Sequence, residues 1–395
     1  MRAYNLKSVF DYIRRNEPTS RRDVAEHGGL TVATVSNITN RLIENGLVVE
    51  IGEGDSFGGR KPTMLGINAD CRYAIGIDLT TDYVKLVITN FKAQIIYKSS
   101  CDTELHQGYQ FVLSKICNFI QSSIDIAQID RKKIIGIGIV SAGPCDPELG
   151  VMQSPPNFHG WNNINIREYI KEHTNYEVVF DKDAVGAVMA EYWFGQVSDC
   201  SHIFAVLINH AGVGGGVIAN GEVFRGCNGG AGEIGHTIID VHGKKCSCGD
   251  YGCLESVVNA HILVQEIQKN LKLGRQSLLS SIKDFDDVTL NDILAATENG
   301  DELCCEKVDE MARYLSVGIR NIATTYAPEK IVLAGSLICK CNYLVQAVLE
   351  KTQKMQGGKF VKNLDVLECS FQENQCALGA VALVLDKFYK SIQIN

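Results

Sequence analysis

The sequence predicts an α/β protein in two parts: a winged helix-turn-helix over residues 1–70, then a two-lobed α/β body over residues 71–395. Three observations lead there. At 395 residues the chain exceeds one ordinary core, and its composition, 45% hydrophobic and 21% charged, is that of a globular protein. Short helical patterns broken by Pro18, Gly28, Gly29 and Gly46 fill the first part. Beyond residue 70, apolar alternating runs recur twice in the same order.

Leu6, Val9, Phe10 and Ile13 fall at i, i+3, i+4 and i+7, the spacing of an amphipathic first helix. After Glu17-Pro18, Thr19-Ser20 offers an N-cap to a short second helix over 21–26. His27-Gly28-Gly29-Leu30 makes a tight turn, and Thr31 caps a third helix that runs to Asn45, before Gly46. Ala25, Gly29, Val35 and Ile38 stand where a helix-turn-helix needs a small crossing residue, a left-handed turn and two aliphatic locks. With Val35, Ile38 and Leu42 inward, Ala33, Thr34, Ser36, Asn37, Asn40 and Arg41 form an outer face of small, polar and basic groups suited to a major groove. Residues 47–50 and 62–67 read as a hairpin. Its glycine-rich tip carries Arg60 and Lys61, a wing for phosphates or the minor groove.

Residues 1–70 hold nine basic and nine acidic side chains, so the whole formal charge of −8 belongs to the remainder. An acidic body repels phosphate. Double-stranded operator DNA is therefore expected to meet only the first part, where Arg14, Arg15, Arg21, Arg22, Arg41, Arg60 and Lys61 lie. One helix-turn-helix covers one half-site, which implies a homodimer or a dimer of dimers. No uninterrupted apolar run long enough to span a membrane is present, and residues 1–7 enter a helical pattern without a signal segment. A cytoplasmic place of work is expected.

In the body, runs at 73–79, 84–90 and 94–98 read as strands, 108–127 as a helix and 134–140 as a buried strand. The order returns with strands at 202–209, 215–219 and 222–224, then helices, then a buried strand at 330–335. Two βββαβ halves make two lobes around a ligand cleft, roughly 71–190 with a C-terminal helix 377–395, and 191–376.

Of fifteen cysteines, most, such as Cys71, Cys117, Cys200 and Cys369, read as small buried apolar residues. Cys246, Cys248 and Cys253 differ: three thiols lie within eight residues, and His236 stands ten residues upstream. Three sulfurs and an imidazole suit a closed, structural zinc site, with Gly249 and Gly252 letting the chain turn round the ion. Free buried cysteines are the alternative.

Several stretches together resemble the ROK proteins, a family of repressors, sugar kinases and open reading frames of unknown function. They are Gly143-Pro144, Pro156-Asn157 with Gly160-Trp161, Asp183, the glycines 212 and 214–216, residues 231–236, residues 246–255 and Ala377-Leu378-Gly379-Ala380. The resemblance covers nearly the whole chain, and the N-terminal extension resembles the repressor branch, which includes xylose repressors. It implies an actin-like, ribonuclease H-like ATPase-type fold for the body, and a zinc that holds the loop bearing sugar-binding residues. It also implies sugar contacts from Asn157, Asp183, Glu233, His236 and Glu255, with His236 serving zinc or sugar rather than both. Carboxylates and imidazoles form charge-assisted bonds to paired hydroxyls. One departure bears on the ligand: where the family usually has Asn before the Asp and again two residues after it, this chain has Lys182 and Val185.

The family's kinases use an Asp as general base and two glycine-rich loops for ATP phosphates. Asp183 occupies the first position. The first loop reads Thr80-Thr81-Asp82-Tyr83, with threonines for glycines and an acid aimed where phosphate would lie; the second, Asn209-His210-Ala211-Gly212, lacks its threonine. The expectation is a sugar-responsive DNA-binding repressor of carbohydrate-use genes, xylose among the candidates, released from its operator by sugar. It is not expected to be an enzyme. The alternatives are a sugar kinase with an appended DNA-binding head and a regulator answering to a protein partner.

Overall fold

The computed structural model describes residues 2–55, 61–209, 212–282, 284–355 and 364–391. The wing tip with Arg60, the His210-Ala211 pair and the last four residues of the expected C-terminal helix lie outside them.

The head consists of α1 (Arg2–Asn16), the short strand β1 (Thr19–Ser20), α2 (Arg21–Gly28), α3 (Val32–Glu44), β2 (Val48–Glu53) and β3 (Thr63–Ile67). The strands form an antiparallel sheet in the order β1-β3-β2. Ser20 and Asp23 make a reciprocal capping box at α2, and the Thr31 hydroxyl accepts from Thr34 N at 3.2 Å to cap α3. Gly29 ends α2 at φ 60°, the left-handed turn its position requires. Val35 and Leu42 are fully buried and Ile38 half-buried. Thr39 is buried as well, which the helical pattern did not indicate. Its hydroxyl accepts from Arg21 Nε at 3.1 Å, tying the start of α2 to α3.

The body holds two five-stranded sheets of one topology. In the first, β4 (Tyr73–Leu79), β5 (Tyr83–Asn90) and β6 (Ile95–Asp102) form an antiparallel meander. After α4 (Tyr109–Ile126), β7 (Ile134–Ser141) joins β4 in parallel. A small sheet of β8 (Cys145–Asp146), β9 (Val151–Met152) and β10 (Ile164–Asn165) follows, then α5 (Ile166–Thr174), the parallel edge strand β11 (Val178–Lys182) and α6 (Asp183–Phe194). The second sheet repeats this with β12 (Ile203–Asn209), β13 (Gly212–Ala219) and β14 (Glu222–Val223). The helices α7 (Ala260–Lys272), α8 (Leu290–Glu298) and α9 (Glu302–Thr325) lead to β15 (Lys330–Ala334). Then come α10 (Ser336–Lys340), α11 (Asn342–Lys354), β16 (Asp365–Glu368) and α12 (Gln375–Ser391). The orders β6-β5-β4-β7-β11 and β14-β13-β12-β15-β16 correspond strand for strand, each with an antiparallel side and a parallel side. The two halves expected from the sequence are thus present, each extended by a fifth strand.

Helices α6 and α12 fill the space between the sheets. Every residue of α12 from Gln375 to Leu385 is buried, the pattern of a helix covered on all sides. Glycine makes this possible: a Cβ on Gly379 would lie 1.8 Å from the Gly186 carbonyl oxygen, so the two helices cross in backbone contact. Gly76 and Gly138, paired across β4 and β7, likewise admit the carbonyls of Ala377 and Ala380.

The head packs firmly on the far ends of these two helices. One apolar cluster runs from Phe10 and Ile13 of α1 through Phe91 to Trp193 of α6 and Tyr389 of α12. The Phe10 and Tyr389 ring centroids are 4.8 Å apart, and Trp193 stacks on Tyr389 at 5.2 Å. This seating engages two cations of the first part within the chain. Arg14 lies over the Trp193 ring at 4.2 Å and donates to the Trp193 carbonyl, while Arg15 donates to Ser198 O and to Tyr192 Oη. Both are spent against the body because α1 faces it. Arg21 pairs with Glu50 at 3.0 Å.

Candidate functional site

The cleft between the two sheets encloses a cavity of about 430 Å³. Its floor comes from strand ends and helix starts, where side chains project past the sheet. The structure brings all five expected sugar contacts, Asn157, Asp183, Glu233, His236 and Glu255, to its wall. Asp183 opens α6; its Oδ1 accepts from Ala184 N at 2.7 Å and its Oδ2 faces Asn209 Nδ2 at 3.5 Å. Burial pushes its carboxyl above the usual range. Glu255 accepts from Val213 N and from the Ser247 hydroxyl, both at 3.0 Å, which fixes its carboxylate at the cleft edge. Asn157 is exposed on the loop after β9.

Lys182, seen in the sequence only as a missing amide, is the group that organises this wall. It is buried, and its Nζ donates to Glu233 Oε1 and to Ala231 O, each at 2.8 Å. A second ionic link lies beside it: Arg225 Nε and a terminal nitrogen donate to Asp181 Oδ2 at 3.0 and 2.6 Å. Asp181 and Lys182 end β11 of the first sheet, while Arg225 and Glu233 follow β14 of the second. Both pairs therefore clasp one half to the other. Sequence reasoning missed them because each partner is more than forty residues away.

On the opposite side, the turn between β4 and β5 is closed on itself. The Thr80 hydroxyl donates to Tyr83 O at 2.9 Å and accepts from Asp82 N at 3.3 Å and Tyr83 N at 3.0 Å. Behind it, Asp78 is buried with its Oδ1 unbonded. Desolvation, with the nearby Asp183 charge, raises its carboxyl to about 7.

His236, Cys246, Cys248 and Cys253 converge, their ligand atoms all within 4.8 Å of one another, and could hold a metal ion. Cys248 Sγ lies 3.7 Å from Cys253 Sγ, and His236 Nδ1 lies 3.7 Å from Cys246 Sγ. These separations are too long for a disulfide and match the roughly 3.8 Å edge of a tetrahedron with ~2.3 Å metal–sulfur bonds. Gly249 at φ 102° and Gly252 at φ 77° supply the turns. A backbone N–H at Asp250 draws the Cys248 thiol below its ordinary range, while burial pushes Cys253 up to about 12. His236 stands both in this cluster and on the cleft wall.

The sequence profile described as the ROK family matches residues 74–387. The chain belongs to the ROK family. Among its relatives, the "Xylose repressor" of Caldicellulosiruptor bescii is 31% identical over 384 residues, covering 96% of this chain and 94% of that protein. The "DNA-binding transcriptional dual regulator NagC" of Escherichia coli K12 is 29% identical, covering 97% and 93%. A crystal structure described as a ROK family transcriptional regulator, homologous to the Escherichia coli MLC protein, superposes with a TM-score of 0.83 at 25% identity, over 98% of this chain and 97% of that one. A ROK family glucokinase from Streptomyces griseus, solved with glucose and AMPPNP, shares the fold with a TM-score of 0.71 at 21% identity, over 79% of this chain and 98% of the kinase.

Proposed function

We propose that this ROK protein is a transcriptional repressor whose body senses a sugar and whose paired heads hold operator DNA until the sugar arrives. Relatives along nearly the full length carry the names of a xylose repressor and a DNA-binding transcriptional regulator. The observation that carries the reading over a sugar kinase is the closed β4–β5 turn. A nucleotide phosphate needs unpaired backbone N–H groups in a glycine loop. Here Thr80 occupies the N–H groups of Asp82 and Tyr83, and Asp82 adds a negative charge beside them. The chain is therefore read as a sensor, not an enzyme, working in the cytoplasm as a homodimer or dimer of dimers.

In this reading Asn157, Asp183, Glu233, His236 and Glu255 hold the sugar. Ala33, Thr34, Ser36, Asn37, Asn40 and Arg41 of α3 read the major groove, and Arg60 and Lys61 of the wing contact the DNA backbone or minor groove. The four-residue cluster is assigned to a structural zinc. Three thiolates and an imidazole at tetrahedral spacing fit that ion, leaving no open coordination position. Zinc would brace the loop that holds Ser247 and Glu255. A sugar bound across the cleft would favour one closure of the halves and so move the two heads out of half-site spacing.

The test is a panel of D-xylose, D-glucose and N-acetylglucosamine, read by thermal shift and release from operator DNA, beside a coupled ADP assay. One sugar is expected to stabilise the chain and release DNA without ADP formation. ADP production at kinase rates sinks the sensor reading. Absence of any sugar response turns the assignment towards a protein partner.

A further inference from the structure

We infer that the effector is an uncharged sugar, and that the Lys182–Glu233 pair is the specificity-determining element that keeps sugar phosphates and sugar acids out. This rests on the sugar-sensing reading above and narrows its ligand class. A site for a phosphate or carboxylate draws on a guanidinium, an unpaired ammonium, an imidazolium or a set of free backbone N–H groups. The described residues that line the cleft include no arginine, and the imidazole there, His236, belongs to the four-residue cluster, where a metal-ligating ring is neutral. The one ammonium there, Lys182, already donates to Glu233 and to the Ala231 carbonyl. An anionic group would have to share that ammonium with Glu233, which sets two negative charges side by side on one cation.

Among the described residues, several N–H groups beside this cleft already have acceptors within the chain. Thr80 holds those of the β4–β5 turn. At the start of α6, Asp183 accepts from Ala184 N. At the start of α10, Asn209 Oδ1 accepts from Ser336 N at 3.1 Å. Around them stand the carboxylates of Asp82, Asp183, Glu233 and Glu255, with Asp78 behind. Burial already pushes the protons of Asp78 and Asp183 up, so the cleft resists the negative charge it has. Neutral hydroxyls meet no such obstacle. The Lys182 amine can donate to one, and Glu233 can accept from its neighbour, so the pair reads adjacent hydroxyls without being broken.

Titration calorimetry on the full chain tests this. The probes are D-xylose, D-glucose and N-acetylglucosamine beside glucose 6-phosphate, N-acetylglucosamine 6-phosphate and glucuronate. At least one neutral sugar is expected to bind, with its charged counterpart weaker by about thirtyfold or more. Glu233→Gln removes the acid that claims the ammonium, and should shift the phosphate-to-neutral affinity ratio by about tenfold in favour of phosphate. Lys182→Gln should shift it the other way. A wild-type chain that binds a sugar phosphate or uronate as tightly as the neutral sugar overturns the inference while leaving sugar sensing intact. If none of the six binds, sugar sensing itself falls, and this inference with it.

Discussion

At the scale of single residues, the metal cluster and the cleft wall differ in how openly the sequence declares them. Cys246, Cys248 and Cys253 lie within one turn-rich loop, so their spacing alone brings three sulfurs together, and His236 needs only the bridge between Ile238 and Cys253 to join them. Cys248 is exposed, and little but a shared ligand would hold its thiol against Cys253. Cys248→Ser is therefore expected to drop bound zinc from about one per chain towards none and to lower the melting temperature. It should also weaken sugar binding, because the Ser247 hydroxyl that orients Glu255 rides on the same loop. Retention of stoichiometric zinc, measured by elemental analysis, refutes the metal assignment. The acids of the cleft were legible only through the family motifs. The pairs that make them a site were not, since Lys182 finds Glu233 and Arg225 finds Asp181 through the fold and not through the chain.

Among the elements, α6 and α12 connect what the sequence presented as separate parts. Helix α6 begins at Asp183 in the cleft and about 18 Å later ends with Tyr192 and Trp193 against the head. Helix α12 begins beside the same acids and ends with Tyr389 against Phe10. Because the two cross in backbone contact at Gly186 and Gly379, a tilt of one is carried to the other and to α1. The periodic runs announced the meander strands and the first parallel strand of each sheet, but not α5, α6, α10 or α11. They could not announce this coupling, since α12 is apolar on every side and so gives no clue to which faces it touches. Arg14→Ala deletes the cation over Trp193 and its bond to the Trp193 carbonyl, costing the docked head about 1–2 kcal/mol. Sugar affinity in the absence of DNA should change by less than about twofold, while the effect of sugar on operator affinity falls by about fivefold. An unchanged sugar effect would mean the signal leaves the body by another route.

For the whole molecule, the distribution of charge decides how DNA is met. The body carries the entire net charge of −8, and the head, neutral in sum, has turned part of its positive charge inward. Arg14 and Arg15 face the body and Arg21 holds Glu50, whereas Lys61 at the base of the wing is exposed. Few phosphates are therefore neutralised per head, and specificity must lean on α3 more than on bulk attraction. The salt dependence of operator binding separates the two groups of cations. Each phosphate contact contributes about 0.9 to the slope of log affinity against log salt. Arg60→Ala and Lys61→Ala should each lower affinity at every operator and reduce the slope by about 0.9 per head, with sugar binding intact. Arg15→Ala should leave the slope unchanged, because its guanidinium is committed to Ser198 and Tyr192. A slope that falls with Arg15→Ala and not with the wing variants would put α1 on the DNA and require the head to leave its seat on the body when it binds.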